Sequence, residues 1–200
     1  MRNLVIYIHG KGGNSEEAEH YKPFFHDVDV IGFDYNSENP WEAEKEFSIF
    51  YDLYSKEYDS IILIANSIGA YFSLLALADK KIDKALLISP VVNMEELITN
   101  MMMWANVSEK ELLEKKKIVT DFGETLSWEY LCIVRDNTIK WKVPTEILYA
   151  GKDTLTSRQT VDAFIKSHNA NLTVFENGEH WFHTDEQLSF LNKWIVTVMG

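Results

Sequence analysis

The sequence predicts an α/β protein: a three-layer α/β/α sandwich around a mostly parallel six-stranded sheet, with one helical insertion. Three observations carry this expectation. Apolar runs of strand length alternate with segments of helical length and period along the 200 residues, the rhythm of a parallel sheet covered by helices. The runs are continuously apolar, as expected for strands buried on both faces. The rhythm lapses once, over residues 91 to about 142, and then resumes. A single domain spanning 1–200 with an insertion at about 91–142 accounts for that pattern.

The elements follow in order. Leu4-Val5-Ile6-Tyr7-Ile8 reads as the first strand and ends in His9-Gly10-Lys11-Gly12-Gly13-Asn14-Ser15. Residues from about 15 to 25 suit a helix, with Ser15 as N-cap and acidic residues in its first turn. Residues 28–35 form a second strand, and 41 to about 57 a helix with Phe47, Phe50, Tyr51 and Tyr54 on its apolar face. The third strand, Ile61-Ile62-Leu63-Ile64, runs into Ala65-Asn66-Ser67-Ile68-Gly69-Ala70 and then into an apolar segment of helical length, 71–78. Ala85-Leu86-Leu87-Ile88 is the fourth strand, stopped by Ser89-Pro90.

The insertion holds no convincing strand and reads as helices: one through Met94 to Met101-Met102-Met103-Trp104, another from Ser108, where Ser108-Glu109-Lys110-Glu111 fits a capping box. Residues 145–150 are the fifth strand, about 157–167 a helix, and 171–175 the sixth strand. The final helix, about 185–198, aligns Leu188, Leu191, Trp194, Ile195 and Val198 on one face.

Composition narrows the function. A net charge of −12 disfavours nucleic acid and anionic membranes as partners. No apolar run approaches a membrane span, and the first is too short for the core of a signal peptide. The single cysteine, Cys132, excludes an internal disulfide and suits a reducing cytosol, so a cytoplasmic location is expected. No histidine or cysteine cluster has zinc spacing, and Gly10-Lys11-Gly12-Gly13-Asn14-Ser15 fits neither a dinucleotide fingerprint nor a P-loop. No metal and no cofactor are expected. Lys115-Lys116-Lys117, preceded by Glu109, Glu111 and Glu114, reads as a solvated helix face.

Ligands of open α/β sheets bind outside the carboxyl ends of the strands, so the residues that follow each strand matter most. Ser67 stands between a buried strand and a buried helix, with small residues two before (Ala65) and two after (Gly69). That pattern suits a sharp strand-to-helix turn exposing a nucleophile, with helical N–H groups aimed at it. The same position is also that of an ordinary helix N-cap. Gly151-Lys152-Asp153 follow the fifth strand and Gly178-Glu179-His180 the sixth. A nucleophile, an acid and a histidine in that order, beside a glycine-rich loop, are specific together where each alone is not.

At these residues the chain resembles the α/β-hydrolase superfamily. The matching motifs are His9-Gly10-x-Gly12-Gly13, Ala65-x-Ser67-x-Gly69, Gly151-x-Asp153 and Gly178-x-His180-Trp181-Phe182, over nearly the whole chain, in a small form without the family's first two antiparallel strands. Ala65 departs from the usual elbow glycine, and Ala150 stands where relatives often carry glycine. The resemblance implies a strand order of 2-1-3-4-5-6, with the elbow strand beside the topological switch point. It implies that Ser67 attacks an acyl carbon, that His180 serves as base and then acid, and that Asp153 orients the imidazole. The backbone N–H groups of Lys11 and Ile68 would form the oxyanion hole, and His9 would shape that loop.

The implied activity is that of a serine hydrolase on a small acyl substrate, a carboxylic ester first. A thioesterase or an amidase would use the same machinery. A non-catalytic relative that binds a ligand or partner protein is the alternative, and the intact Ser/Asp/His set argues against it. The place of the insertion and its methionine and tryptophan content suit an apolar cap over the C-terminal edge of the sheet. Met102, Met103 and Trp104 would then line one wall of the acyl pocket. The other reading of the insertion is a packed helical pair on the sheet's flank. Asp34 is the rival acid and His183 the rival base, while His20, His26 and His168 read as surface histidines.

Overall fold

Continuous β-branched and aliphatic runs become strands in the computed structural model, which describes residues 2–200. The strands are β1 (Asn3–Ile8), β2 (Asp29–Phe33), β3 (Ser60–Asn66), β4 (Lys84–Ile88), the short β5 (Lys117–Val119) and β6 (Thr125–Ser127), β7 (Thr145–Ala150) and β8 (Ala170–Phe175). The helices are α1 (Pro40–Tyr54), α2 (Ser67–Ala76), α3 (Met94–Trp104), α4 (Glu109–Lys115), α5 (Trp128–Asp136), α6 (Arg158–Ser167) and α7 (Asp185–Met199). They divide into two units: the residues up to 92 together with 140–200, and residues 93–139.

The first unit is built on a six-stranded sheet in the order β2-β1-β3-β4-β7-β8. Every pairing in it is parallel, so the sheet is wholly and not merely mostly parallel. The chain moves outward from β1 to β2, then returns past β1 to β3, which puts the C-terminal ends of β1 and β3 at the switch point.

Successive side chains point to opposite faces of a strand. Val5 and Tyr7 therefore join Ile64, Leu86, Ile88 and Leu148 on one face, under Tyr21 and Phe25 and under Leu191, Trp194 and Ile195 of α7. Leu4, Ile6 and Ile8 take the other face, and Phe33, Phe47 of α1 and Phe72 of α2 interlock as an edge-to-face aromatic cluster. Each large side chain removed from water stabilises by roughly 1.5–3 kcal/mol.

One local expectation is corrected. Residues 15–25 are not an α-helix but two short 3-10 helices, Ser15–His20 and Lys22–Phe24, and the cap is Asn14, not Ser15. The Asn14 side chain accepts from Glu16 N, while the Glu17 carboxylate returns to Asn14 N. Pro23 supplies no N–H for a continuing α-helical ladder.

In the second unit the expectation of helices alone also fails. β5 and β6 pair as an antiparallel hairpin, with Ile118 opposite Leu126. Three-residue strands are too short to print a period in the sequence. Lys116 at φ 66° ends α4, and Gly123 at φ 86° closes the hairpin turn, a conformation natural to glycine. The lysine run is consequently split between the end of α4, a left-handed residue and β5, and does not form a helix face. Ser108 does cap α4, accepting from Glu111 N at 3.2 Å. The Arg135 guanidinium forks from α5 onto Glu109 and Glu95, at 2.6–3.0 Å and 2.7 Å. Among the described residues, no helix is long and apolar enough to cross a membrane.

Candidate active site

The site begins with a strained residue. β3 ends at Asn66 and α2 starts at Ser67, whose φ is 49°. A left-handed serine costs on the order of 1–3 kcal/mol and persists only where its surroundings impose it. Gly69 is one such constraint: a Cβ there would lie 2.2 Å from His9 O, so only glycine lets α2 pass this close to the end of β1. Ala65 needs no special backbone, because it pairs regularly with Ile8 and Leu87 inside the sheet. The departure from the elbow glycine is therefore accommodated: the left-handed conformation falls on the serine.

Ser67 Oγ lies 2.8 Å from His180 Nε2, and His180 Nδ1 lies 2.7 Å from Asp153 Oδ2. The Asp153 side chain is fully buried and His180 is 19% exposed. The other carboxylate oxygen, Oδ1, accepts from the backbone N–H groups of Leu155 (2.8 Å) and Thr156 (3.1 Å). Thr156 is itself anchored, donating through Oγ1 to Pro90 O at 3.2 Å and accepting from Tyr149 OH at 3.0 Å.

The loops after β7 and β8 are stitched together by Gly151 N to Phe175 O and Lys152 N to Gly178 O, both 2.8 Å. A Cβ at Gly151 would fall 2.5 Å from Glu176 O. The two loops that carry the acid and the histidine are thus one rigid assembly. Ala150, the second departure, ends β7 in ordinary register with Phe175.

The glycine-rich loop runs against the serine. Gly13 N closes a turn onto Gly10 O at 3.1 Å with Gly12 at φ 76°, and a Cβ on Gly10 would sit 3.2 Å from Ser67 Cβ. Ile68 belongs to the first turn of α2, where N–H groups have no intrahelical acceptor. His9 is buried, stacks on Tyr35 with centroids 4.3 Å apart, and holds Gly10 O through Nδ1 at 2.8 Å.

The rival groups have other partners. Asp34 is exposed and its carboxylate is 3.7 Å from His9 Nε2. His183 is exposed, stacks on Trp181 and bonds its backbone carbonyl. His26 is exposed, and His168 stacks half-buried on Phe164. His20 departs from the surface expectation: it borders a cavity and holds Asn192 Oδ1 at 2.8 Å.

That cavity, about 640 Å³, opens beside Ser67 and His180. Ile88, Leu155, Phe182, Leu188 and Leu191 contribute apolar lining, and Tyr7, Glu17, His20, Tyr21 and Asn66 polar lining. Burial, reinforced by neighbouring Tyr21 and by Glu17, holds the Tyr7 phenol far above its usual range, and burial with the Glu17 charge does the same for Tyr21. Both stay protonated donors. Sequence reasoning missed this polar group; its only signals were a tyrosine inside an aliphatic strand and an asparagine next to the serine.

The lining residues named above belong to the first unit. Met102, Met103 and Trp104 lie on α3 in the second, Met102 buried and the other two exposed. Among the described residues, no group of histidine, cysteine and carboxylate side chains could hold a metal ion.

No family model matches the sequence, and no curated protein matches it. Solved structures do resemble the fold. Est1E from Butyrivibrio proteoclasticus is 18% identical over 99% of this chain and 87% of its own, with a TM-score of 0.78. Alpha/beta hydrolase domain-containing protein 10 from mouse is 15% identical over 98% of this chain and 89% of its own, at 0.77. A lipase-esterase related protein from Clostridium acetobutylicum is 18% identical over 96% and 93%, at 0.66. With its parallel β2-β1-β3-β4-β7-β8 sheet, the sharp turn at the end of β3 and these structural neighbours, the chain has the α/β-hydrolase fold.

Proposed function

We propose that the protein is a serine hydrolase that cleaves a small acyl ester through an acyl-enzyme intermediate. The observation that carries this reading is the unbroken relay from Ser67 Oγ through His180 to Asp153, at 2.8 and 2.7 Å. An ionised carboxylate only accepts hydrogen bonds, so Asp153 selects the tautomer with the proton on His180 Nδ1. Nε2 is then the acceptor facing the serine hydroxyl. As Ser67 Oγ attacks the acyl carbon, Nε2 takes its proton, and the buried Asp153 stabilises the imidazolium. Collapse of the tetrahedral intermediate breaks the bond to the leaving alkoxide, which receives that proton from Nε2. Water, deprotonated by the same nitrogen, then attacks the acyl-serine and releases the acid.

The backbone N–H groups of Lys11 and Ile68 are the proposed oxyanion donors, and the dipole of α2 adds to them. One such donor typically contributes about 2.7–4 kcal/mol to lowering the barrier. The likeness to the lipase-esterase related protein from Clostridium acetobutylicum supports an ester over a thioester or an amide. A cytosolic setting is proposed on the free Cys132. A fluorophosphonate probe tests the core of the reading. It should label the folded protein at Ser67 and leave Ser67→Ala unlabelled; labelling of another residue, or none on folded protein, refutes the nucleophile.

A further inference from the structure

The polar lining of the cavity has a direction. Asn66 Nδ2 donates to Tyr7 OH at 2.8 Å, and Tyr7 OH donates to Glu17 Oε2. A phenol has one hydrogen, so the chain runs from Asn66 through Tyr7 and ends on a carboxylate. Glu17 Oε1 accepts from Asn14 N at 3.3 Å. An ionised carboxylate offers roughly four acceptor positions, so about half of them remain for another donor. His20 meets Asn192 Oδ1, an acceptor, through Nε2 at 2.8 Å. In the neutral ring that places the hydrogen on Nε2 and makes Nδ1 an acceptor.

Capping the 3-10 helix needs only the bond to Asn14, yet the second oxygen of Glu17 reaches a phenol on β1 that is itself hydrogen-bonded to the neighbour of Ser67. Glu17 and His20 thus bring acceptors and a negative charge to the lining of the cavity that opens beside Ser67, alongside Lys11 and the Tyr21 hydroxyl, and a net charge of −12 draws cations toward the molecule.

We propose that the cavity beside Ser67 selects acyl groups ending in a hydrogen-bond donor, an ammonium best of all, received by Glu17. The inference rests on the acyl-transfer reading of Ser67. Charge-assisted bonds are about twice as strong as neutral ones, which ranks ammonium above hydroxyl. Glu17 keeps solvent exposure, which limits the preference to about tenfold.

The experiment compares kcat/KM for four p-nitrophenyl esters of matched length: heptanoate, its isosteric ω-ammonium analogue, the ω-hydroxy analogue and the adipate monoester. The expected order is ammonium, hydroxyl, methyl, carboxylate, with ammonium about tenfold above methyl. In Glu17→Gln the amide oxygen can accept from Tyr7 while the bond from Asn14 N is lost; the ammonium-to-methyl ratio should fall to near unity, with the thermal midpoint reporting on the fold. Equal rates for all four esters, or a ratio unchanged in the variant, overturn the proposal and leave acyl transfer standing. If the protein cleaves none of them, acyl transfer fails instead. Calorimetry with heptanamide and ω-aminohexanamide then decides the pocket: tighter binding of the amine, lost in Glu17→Gln, supports it, and equal binding refutes it.

Discussion

Replacing Asp153 by asparagine should abolish most turnover without unfolding the protein, and the reason lies in the two sides of that carboxylate. Oδ1 accepts from two backbone N–H groups, so only the amide oxygen of an asparagine can take its place. The amide NH₂ is then forced into the Oδ2 position, 2.7 Å from His180 Nδ1. A donor there demands an acceptor at Nδ1, which shifts the ring hydrogen to Nε2, the nitrogen facing Ser67. A protonated Nε2 cannot take the serine proton.

In a serine protease the equivalent change lowers kcat by about 10⁴, corresponding to roughly 5.5 kcal/mol of barrier, and a loss of that order is expected here. KM should change little, because Asp153 is fully buried and lies outside the cavity lining. The assay is kcat and KM on a short p-nitrophenyl ester across the neutral range, with a thermal melt to confirm folding. Asp34→Asn and His183→Ala, whose side chains meet His9 and the Trp181 carbonyl, should cost far less. A loss below about tenfold, ~1.4 kcal/mol, in a folded Asp153→Asn protein would refute the tautomer argument. A larger loss in Asp34→Asn would move the acid to the end of β2.

Two further outcomes are expected. Gly69→Ala puts a Cβ 2.2 Å from His9 O, so the elbow must shift away from the glycine-rich loop. Turnover should fall by at least tenfold and stability by about 1–3 kcal/mol, read by kinetics and denaturant titration; wild-type values in both would show that the close approach is not needed. Tyr7, Tyr21, Tyr35 and Tyr71 are all held above their ordinary value of 10.0, chiefly by burial. The unfolded chain therefore loses protons first as pH rises, so stability present below 10.0 should decline above it, with tyrosinate absorbance appearing together with unfolding. Ionisation of these four tyrosines in the native protein near the ordinary value would contradict it.

Much of this protein was legible in its sequence because the decisive signals were short-range. Short β-branched and aliphatic runs bounded by turn residues read as strands buried on both faces, and Ser67, Asp153 and His180 each stand just past such a run. Strand order needed the family resemblance, since nothing in residues 4–8 states that they pair with both 29–33 and 60–66. Where signals were shorter than a period, reading failed: three-residue β5 and β6 left no alternation to see, and Asn14 displaced Ser15 as a cap.

Other features belong to the tertiary structure alone. Backbone strain fell on Ser67 instead of Ala65 because Gly69 meets His9 from a different strand, a contact no local pattern contains. His180 Nδ1 meets a carboxylate 27 residues away in the chain. The directed chain from Asn66 through Tyr7 to Glu17 joins residues from two adjacent strands and a separate capping turn. Propensity and period act between neighbours in sequence; hydrogen-bond direction and side-chain collision exist only once packing has brought distant segments together.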